Sequence, residues 1–335
     1  MFKYFNNIFT EAKYMKKLVS LFIMILFLGT NAYAFEPQAK SIDIIVGYNA
    51  GGTNDKIARL LQNIFEKEKW KSSVIHKPGA SQAIAANHVA NESPKDGHTI
   101  FVSGIGLLDA NLMFKEENPG IKYSRESFQS VIPLGTGTLV LTSSKDTKIT
   151  TYEEFKNYVR ANPTQFKIGF WNKHLGKTLI EWARLEKLPE PEIIYYEGSG
   201  AMIVDLLGGH IKFTLDSFTA TNQHWKNDSL NILAVLDNKD GLKKIEKIKK
   251  NNKVISIPQV QPTFELYTYY GVYVSAGVDK ETIQKIHKVI NQGLQENNAK
   301  EFFQNIGVLD AGGDPKVLDQ YSLDFVRLIQ SSIKK

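Results

Sequence analysis

The sequence predicts an α/β protein of about two domains whose sheets are largely parallel. Short β-type runs alternate with amphipathic helical segments along the chain, which is the pattern of α/β domains. The chain has 335 residues, and the part after residue 34 is long enough for about two domains with a buried core each. That part contains no stretch approaching the roughly 18 consecutive apolar residues of a membrane-spanning helix.

The first 34 residues are typical of an export signal rather than of the fold. They contain a basic region, an apolar run and a small-residue cleavage site: Lys16-Lys17, Leu18–Leu28 and Ala32-Tyr33-Ala34. The apolar run is too short to span a bilayer comfortably, so a cleaved signal peptide over residues 1–34 is favoured over an uncleaved membrane anchor. We expect cleavage before Phe35, with Met1 or Met15 as the start, and a periplasmic location for the remainder.

The charge balance gives no indication of a nucleic-acid partner. Residues 1–34 hold four lysines and one glutamate, so the net charge of +6 falls to +3, with 37 basic and 34 acidic residues. The remaining excess is dispersed. The lysine-rich stretch 243–250 has no interleaved aromatic residues, so a solvated helix face explains it better than nucleic-acid binding.

Cysteine is absent from the chain. Disulfides, thiolate metal sites, a cysteine nucleophile and the lipid attachment of exported lipoproteins are thereby excluded, so we expect a protein that is free in the periplasm. The seven histidines show no His-Glu-x-x-His or similar spacing. We therefore predict no metal site and no cofactor.

The predicted elements follow one another in the order expected for α/β domains. Strands are expected at Ile42–Val46, Ser73–His76, His98–Ser103, Thr138–Thr142, Phe166–Phe170, Ile193–Tyr196, Ile211–Leu215 and Leu230–Val235. Apolar stripes at helical spacing predict packed helices at 55–69, 283–294 and 318–328. Thr151 followed by Glu154 fits a capping box, and Ser199 is expected to cap a helix that ends near Gly208.

The turn between the first strand and the first helix, Val46–Asp55, is a candidate anion site. Its two glycines fall where the backbone turns, and the unpaired N–H groups of the following helix favour a carboxylate or a phosphate. A phosphate loop requires Lys followed by Ser or Thr after the second glycine, and Thr53-Asn54 stands there instead. Nucleotide binding is therefore not expected.

A second turn of the same kind, His76–Ala83, follows the next strand. Two such turns can grip one end of a ligand. The segment Gly79-Ala80-Ser81-Gln82-Ala83 also comes close to a nucleophile elbow, so a secreted serine hydrolase using Ser81 is an alternative. The final glycine of that motif is missing, and the histidines that a triad needs are isolated residues: His210, His224 and His287.

Both turns, together with the segments after them, resemble the substrate-binding proteins of tripartite tricarboxylate transporters, the Bug family. The resemblance spans almost the whole chain after residue 34. It rests on motifs in a fixed order: Tyr48 with Gly51-Gly52-x-x-Asp55, Lys77-Pro78-Gly79-Ala80, Pro94-Lys95-Asp96-Gly97-His98-Thr99, Tyr196-Glu197-Gly198-Ser199, Asp205-Leu206-Leu207-Gly208-Gly209-His210, Tyr269-Tyr270-Gly271-Val272-Tyr273-Val274 and Ala311-Gly312-Gly313-Asp314.

The resemblance implies a type II periplasmic binding protein with two Rossmann-like lobes joined by a hinge of two crossings. We place the crossings near Pro133 and Tyr267, so that residues 35–133 with 267–335 form one lobe and 134–266 the other. In such proteins the two turns of the first lobe hold a ligand carboxylate through backbone N–H groups and bridging waters. The implied partners are a small organic carboxylate and the large and small membrane subunits of a transporter, with the receptor itself a monomer.

This sequence departs from the family pattern in both turns and in one loop of the second lobe. Ser81-Gln82 stands where the family usually has two glycines, and Asn49-Ala50 replaces the usual prolines. The second-lobe loop, normally rich in glycine and serine, reads Phe170-Trp171-Asn172-Lys173-His174-Leu175-Gly176-Lys177. Either its aromatic residues stack on the ligand while a lysine pairs with a second carboxylate, or the loop packs against its own lobe with the lysines in solvent. We favour the first.

The expected ligand-binding residues come from both lobes. They are Tyr48, Asn49, Gly51, Gly52, Thr53, Asp55, Ala80, Ser81, Gln82, Ala83, Phe170, Trp171, Asn172, Lys173, Lys177, Tyr196 and Asp216. Because a carboxylate would repel Asp55, that residue is expected to organise the first helical turn or to bind an amine or water.

The sequence thus favours a non-enzymatic receptor that captures a small carboxylate by hinge closure. The serine hydrolase and a periplasmic sensor that presents its ligand to a membrane kinase are the alternatives.

Overall fold

A mixed β-sheet with helices packed on it forms the molecule. The computed structural model describes residues 35–237, 241–248, 253–262 and 264–333, so the predicted signal peptide at 1–34 lies outside the described residues. Residues Pro37–Lys335 form one compact unit. No helix in the described ranges is long and apolar enough to cross a membrane.

The strands are β1 Ile42–Val46, β2 Ser72–His76, β3 Thr99–Ser103, β4 Phe128–Ser144, β5 Lys167–Phe170, β6 Glu192–Tyr195, β7 Phe213–Ser217, β8 Leu230–Val235, β9 Ile255–Ser256, β10 Tyr267–Ser275 and β11 Val308–Ala311. The helices are α1 Thr53–Lys67, α2 Ala83–Asn87 with a π-helical turn His88–Glu92, α3 Ile105–Met113, α4 Tyr152–Ala161, α5 Gly176–Leu185, α6 Ser199–Leu207, α7 Phe218–Lys226, α8 Gly241–Ile248, α9 Ile257–Val260, α10 Lys280–Leu294, α11 Asn297–Ile306 and α12 Lys316–Ile333.

Strand β4 connects two half-sheets. The first half-sheet has the order β2-β1-β3-β10-β4, in which β1 pairs in parallel with β2 and β3 while β10 is antiparallel to β3 and β4. The second has the order β4-β7-β5-β6, with β5 parallel to both of its neighbours. The partner of β4 changes from β10 to β7 between Thr138 and Leu139. One 17-residue strand therefore belongs to both half-sheets.

Aromatic side chains fill the core of the second half-sheet. Phe155 of α4 meets Phe213 of β7 edge to face with ring centroids 4.9 Å apart, and it stacks on Trp182 of α5 at 6.0 Å. All three side chains are fully or almost fully buried. Edge-to-face and offset pairs of this kind are favourable beyond the area that they bury. This packing fixes α4 and α5 against the sheet and so positions the loop at the end of β5.

The observed elements confirm the α/β class and most of the predicted strands and helices. The capping box at the start of α4 is present, since Glu154 N–H donates to Thr151 Oγ1 at 3.2 Å and Thr151 N–H donates to Glu154 Oε2 at 3.1 Å. The expectation that Ser199 caps α6 is wrong. Gly198 occupies the N-cap, and Ser199 is the first helical residue. The proposed lobe boundaries at residues 133 and 267 stay predictions.

A tight contact between α1 and α10 depends on a glycine. A Cβ atom at Gly293 would lie 2.5 Å from Cγ2 and 2.7 Å from Cγ1 of buried Ile64. We expect Gly293→Val to lower the free energy of unfolding by about 1–3 kcal/mol, because overpacking forces side chains or backbone to shift. Urea unfolding measures the change. The adjacent exposed position supplies the control, Gln292→Val, and equal midpoints for the two variants would contradict the close contact.

Candidate functional site

A cleft lies at the carboxyl ends of the parallel strands, where ligands of open α/β sheets bind. It contains about 400 Å³ of empty space, a figure that includes open solvent at its mouth. Its lining comes from both half-sheets: Tyr48, Asn49, Gly52, Thr53, Asn54, Asp55, Trp171, Gly198, Ser199, Ser217, Thr268 and Tyr270.

Asp55 ties the first turn to the second. Its carboxylate accepts hydrogen bonds from Gly51 N–H at 3.0 Å, from Arg59 Nε at 3.2 Å, and from His76 Nε2 at 2.9 Å when that nitrogen carries its proton. Burial acts to raise the pKa of Asp55, but these three hydrogen bonds outweigh it and lower that pKa below its ordinary value. The contacts support the interpretation that Asp55 organises the first helical turn.

Two helix N-termini meet at the cleft without side-chain caps. The N-cap residues are Gly52 for α1 and Gly198 for α6, and within the described chain neither helix start has a side-chain cap hydrogen bond. Ser199, which sequence reasoning assigned to capping, instead donates its hydroxyl to Asp216 Oδ1 at 2.7 Å. The first N–H groups of both helices therefore remain available, and both helix dipoles favour a negative charge between them.

The second turn holds three successive non-glycine residues in the left-handed region. The φ angles are +49° for Ala80, +51° for Ser81 and +77° for Gln82, after +125° for Gly79. Such a conformation costs roughly 1–2 kcal/mol per residue, so surrounding contacts must hold it. Asn111 supplies one of them by donating Nδ2–H to the Ser81 carbonyl at 2.7 Å.

Gln82 is fully buried and occupies space that the first turn leaves open. Its Oε1 accepts a hydrogen bond from Ser103 Oγ at 2.9 Å. A Cβ atom at Gly47 would lie 2.7 Å from the Cβ of Gln82, so the glycine lets the side chain pass. Ala80 is exposed and Ala83 is buried at the start of α2, and neither they nor Gln82 belong to the described cleft lining.

The loop after β5 divides its aromatic residues between core and cleft. Phe170 is fully buried at the end of the strand and packs on Trp171 with ring centroids 4.8 Å apart. Trp171 lines the cleft, meets Tyr48 edge to face at 6.0 Å, and donates Nε1–H to Asp216 Oδ1 at 3.1 Å. One of the two predicted aromatic residues thus faces the ligand space: Phe170 ends β5 inside the core, and Trp171 belongs to the loop after the strand.

The polar residues of this loop do not belong to the described cleft lining. Asn172 is buried and accepts a hydrogen bond from Leu175 N–H at 2.9 Å. Lys173 is exposed, and its backbone N–H donates to Ser81 Oγ at 3.1 Å. The ammonium of Lys177 lies over the ring of Phe114 at 4.6 Å. This placement matches neither hypothesis as stated: the loop contacts Ser81 and Phe114 of the predicted first lobe rather than its own lobe, and neither lysine belongs to the described cleft lining.

Asp216 lies fully buried beside the cleft at the end of β7. Its Oδ1 accepts three hydrogen bonds, from Trp171 Nε1, Ser199 Oγ and, at 2.7 Å, Ser217 N–H. Burial raises the pKa of Asp216 to about 6, although the three donors and the Lys56 ammonium act to lower it. Tyr196, by contrast, donates its hydroxyl to Asp205 at 2.7 Å and is not part of the described lining.

Contacts cross the cleft between the half-sheets. The hydroxyls of Thr53 and Ser217 lie 2.9 Å apart, and Asn49 N–H donates to the Glu197 carbonyl at 3.1 Å.

The described residues contain no group of three or more His, Asp or Glu side chains that could hold a metal ion.

Sequence reasoning missed six lining residues: Asn54, Gly198, Ser199, Ser217, Thr268 and Tyr270. The pair Gly198-Ser199 stands inside a motif already noted, and its glycine-before-helix pattern matches the first turn. Ser217 follows Asp216 directly. Thr268 and Tyr270 reach the cleft only because β10 pairs with β4, which no local pattern indicates.

Residues 57–335 match the sequence model of a protein family, the tripartite tricarboxylate transporter family receptor. The protein BugT of Bordetella pertussis is 24% identical over 297 residues, which cover 85% of this chain and 86% of that protein. A UPF0065 protein from the tcbD-tcbE intergenic region of Pseudomonas sp. strain P51 is 25% identical over 286 residues, 84% of this chain and 81% of that protein.

Solved structures show the same fold. MatC from Rhodopseudomonas palustris with bound malate matches with a TM-score of 0.75 at 18% identity, over 87% of this chain and 98% of that chain. Another R. palustris protein, with adipate, matches with a TM-score of 0.74 at 19% identity, over 87% and 97% of the two chains. The α/β periplasmic binding protein fold is therefore confirmed.

The buried carboxyl of Asp216 predicts a pH dependence of stability. Folding raises the pKa of Asp216 from an ordinary 3.8 to about 6, so the folded state binds this proton more tightly than the unfolded state does. The resulting stabilisation of the folded state is complete below about pH 4 and is lost as the pH rises through about 6. An asparagine at this position cannot ionise, so Asp216→Asn does not lose stability as the pH rises, and its side-chain oxygen can still accept hydrogen bonds. We expect the variant to melt a few degrees above the parent protein at pH 8 and close to it at pH 4.5.

Thermal unfolding at the two pH values checks this expectation, with Asp43→Asn on β1 as the control. An Asp216→Asn variant that melts below the parent protein at pH 8 would show that the ionised carboxylate stabilises the fold.

Proposed function

Because the chain belongs to the tripartite tricarboxylate transporter family of receptors, we propose that it is a periplasmic solute-binding protein that captures a small organic carboxylate in its cleft and delivers it to the large and small membrane subunits of a transporter. The receptor role follows from the family. The ligand class, the periplasmic location and the membrane partners are the proposed parts.

One observation carries the choice of ligand class. The starts of α1 and α6 both line the cleft, and glycine occupies both N-caps. The free N–H groups and the positive dipole ends of both helices therefore face the same part of the cleft. An anion bound there accepts hydrogen bonds from these N–H groups and is stabilised by both dipoles. The ring faces of Tyr48, Trp171 and Tyr270 supply apolar walls beside them. An organic acid with a short carbon chain matches this combination.

Relatives with bound acids agree in chemistry. MatC from R. palustris holds malate, and the second R. palustris protein holds adipate. Both ligands are aliphatic dicarboxylates. We therefore place aliphatic dicarboxylates first among the candidates.

Closure of two lobes completes the proposed cycle. The cross-cleft hydrogen bonds of Thr53 with Ser217, and of Asn49 with Glu197, are bonds that water can replace when the lobes separate. The proposed hinge is where β4 leaves the first half-sheet and where β10 returns to it. Ligand enters the open form and is held in the closed one.

We propose no catalytic step. The hydroxyl of Ser81 accepts a hydrogen bond from the backbone N–H of Lys173, whereas a nucleophile faces a general base. A fluorogenic ester assay with the Ser81→Ala control tests this, and serine-dependent turnover would favour the hydrolase.

A thermal-shift panel of aliphatic and aromatic organic acids tests the function directly. A ligand that binds only the folded state raises apparent stability by about 2.7 kcal/mol at a hundredfold excess over Kd. We expect at least one aliphatic dicarboxylate to raise Tm, with glucose and lysine as non-binding controls. A panel without any shift would contradict the proposal.

Two substitutions at Thr53, the first residue of α1, isolate the contribution of one backbone N–H. Proline is tolerated at a first helical position, and the extended Gly52 before it (φ −79°, ψ −180°) accommodates a following proline. Thr53→Pro removes the N–H and the hydroxyl, whereas the matched control Thr53→Val removes only the hydroxyl. We expect Kd for the binding acid to be roughly tenfold higher in Thr53→Pro than in Thr53→Val. Equal Kd values, measured by isothermal titration calorimetry, would exclude capture by this helix end.

A further inference from the structure

Aromatic and cationic side chains join the two predicted lobes outside the cleft. The ring of Phe114, which follows α3 in the first lobe, stacks on the imidazole of His174 with ring centroids 5.4 Å apart and planes 5° apart. The ammonium of Lys177 lies 4.6 Å from the centroid of the same ring. His174 and Lys177 flank the start of α5 in the second lobe. Phe114 therefore contacts two side chains of the other lobe.

The three side chains do not belong to the described cleft lining. Phe114 is half-buried, and His174 is 6% exposed although it stands in a loop. A ligand that fills the cleft is not needed to form this contact, because it consists of protein atoms alone. Any effect of the contact on ligand binding therefore acts through the relative position of the two lobes.

The loop that carries His174 is fixed by hydrogen bonds of its own. Leu175 N–H donates to Asn172 Oδ1 at 2.9 Å, and Thr178 Oγ1 donates to the Leu175 carbonyl at 2.6 Å. These bonds tie the residues after Trp171 to the first turn of α5. A contact at the start of α5 therefore also restrains the loop that places Trp171 in the cleft wall.

Both contacts of Phe114 favour the closed arrangement. Stacked rings attract each other beyond the area that they bury, and an ammonium is attracted to the negative face of an aromatic ring. Separation of the lobes breaks both contacts and exposes the ring to water. Together, contacts of this kind shift an equilibrium between two forms by roughly tenfold.

We propose that Phe114, His174 and Lys177 form a latch that sets the fraction of the receptor in the closed form, and thereby its affinity for every ligand. The inference rests on the lobe closure of the proposed function. The three are positioning residues, because they act on the ligand only through closure. The apparent Kd is the intrinsic Kd divided by the fraction of the binding-competent form, so a weaker latch raises Kd for all ligands by one common factor. A residue that contacts the ligand instead changes Kd by a factor that differs between ligands.

A distance measurement without ligand tests the latch. The chain has no cysteine, so spin labels attach only at Asn63→Cys on α1 and Asn157→Cys on α4, two exposed positions in different lobes. Double electron–electron resonance compares this labelled protein with the same protein carrying Phe114→Ala. We expect Phe114→Ala to lower the ratio of closed to open form roughly tenfold.

Two further variants serve as controls for the distance measurement. Phe302→Ala removes another half-buried ring of the first lobe, whose partner Phe303 lies in its own helix at 5.3 Å, and we expect it to leave the distances unchanged. Phe114→Tyr keeps the ring, so we expect it to preserve the distribution of the parent protein.

Lys177→Met tests the same latch through affinity. This substitution removes the charge over Phe114 and keeps an apolar side chain. Isothermal titration calorimetry with succinate, adipate and hexanoate measures Kd, and we expect Kd to rise by one common factor of roughly threefold to tenfold for each acid that binds. Lys167→Met is the control, because the Lys167 ammonium pairs with Glu192 at 2.8 Å within the second half-sheet. A larger factor for the diacids than for hexanoate would mean that Lys177 pairs with the ligand, and the latch would be overturned.

The remaining outcomes separate the latch from the proposed function. If Phe114→Ala and Lys177→Met match their controls in distances, or change the distances without changing Kd for any acid, the latch is overturned while the receptor function stands. If no acid binds the parent protein, the ligand class proposed for the cleft is wrong, whereas the distances still decide the latch. Circular dichroism melts establish that each variant is folded, and if Phe114→Ala is unfolded, Lys177→Met decides in both measurements.

Discussion

The carboxylate of Asp55 is the interaction on which the arrangement of the cleft depends. It accepts hydrogen bonds from a backbone N–H of its own turn, from Arg59 one helical turn later, and from His76 at the end of the neighbouring strand. An acidic side chain inside an anion site is unfavourable in isolation. Its own hydrogen bonds stabilise its negative charge. Asp55 therefore fixes the loop without using the N–H groups at the start of α1, which stay open to a ligand.

The helices around the cleft differ in how their N-termini are satisfied. Helices α1 and α6 begin after glycine, whereas α7 begins after Ser217, whose hydroxyl accepts a hydrogen bond from Ala220 N–H. The buried Asp216 precedes Ser217 in the chain and accepts a hydrogen bond from the Ser199 hydroxyl. The second half-sheet therefore holds one negative charge of its own near a site that attracts another. Protonation of Asp216, whose pKa is raised to about 6 by burial, relieves this conflict in mildly acidic surroundings.

Much of the fold could be predicted from the sequence because its signals are local. Alternating strands and amphipathic helices, the Thr151–Glu154 capping box and both glycine turns depend on neighbouring residues, and the structure contains them. Phe170 and Trp171 show where local reasoning stops. They are adjacent in sequence and alike in chemistry, but β5 ends at the buried Phe170, whereas Trp171 belongs to the following loop and is held beside the cleft by its contacts with Tyr48 and Asp216. No local pattern indicates these contacts. Thr268 and Tyr270 depend on pairing across most of the chain.

The left-handed run in the second turn links two positions that are far apart in sequence. Gln82 fits only because Gly47 has no side chain, since a Cβ atom at residue 47 would lie 2.7 Å from the Cβ of Gln82. The two positions therefore cannot change independently. A side chain at residue 82 is possible only while residue 47 is glycine. Once residue 82 has a side chain, residue 47 has to stay glycine. The buried amide of Gln82 therefore restricts variation at residue 47, and changes of side chain at these two positions have to begin at residue 82.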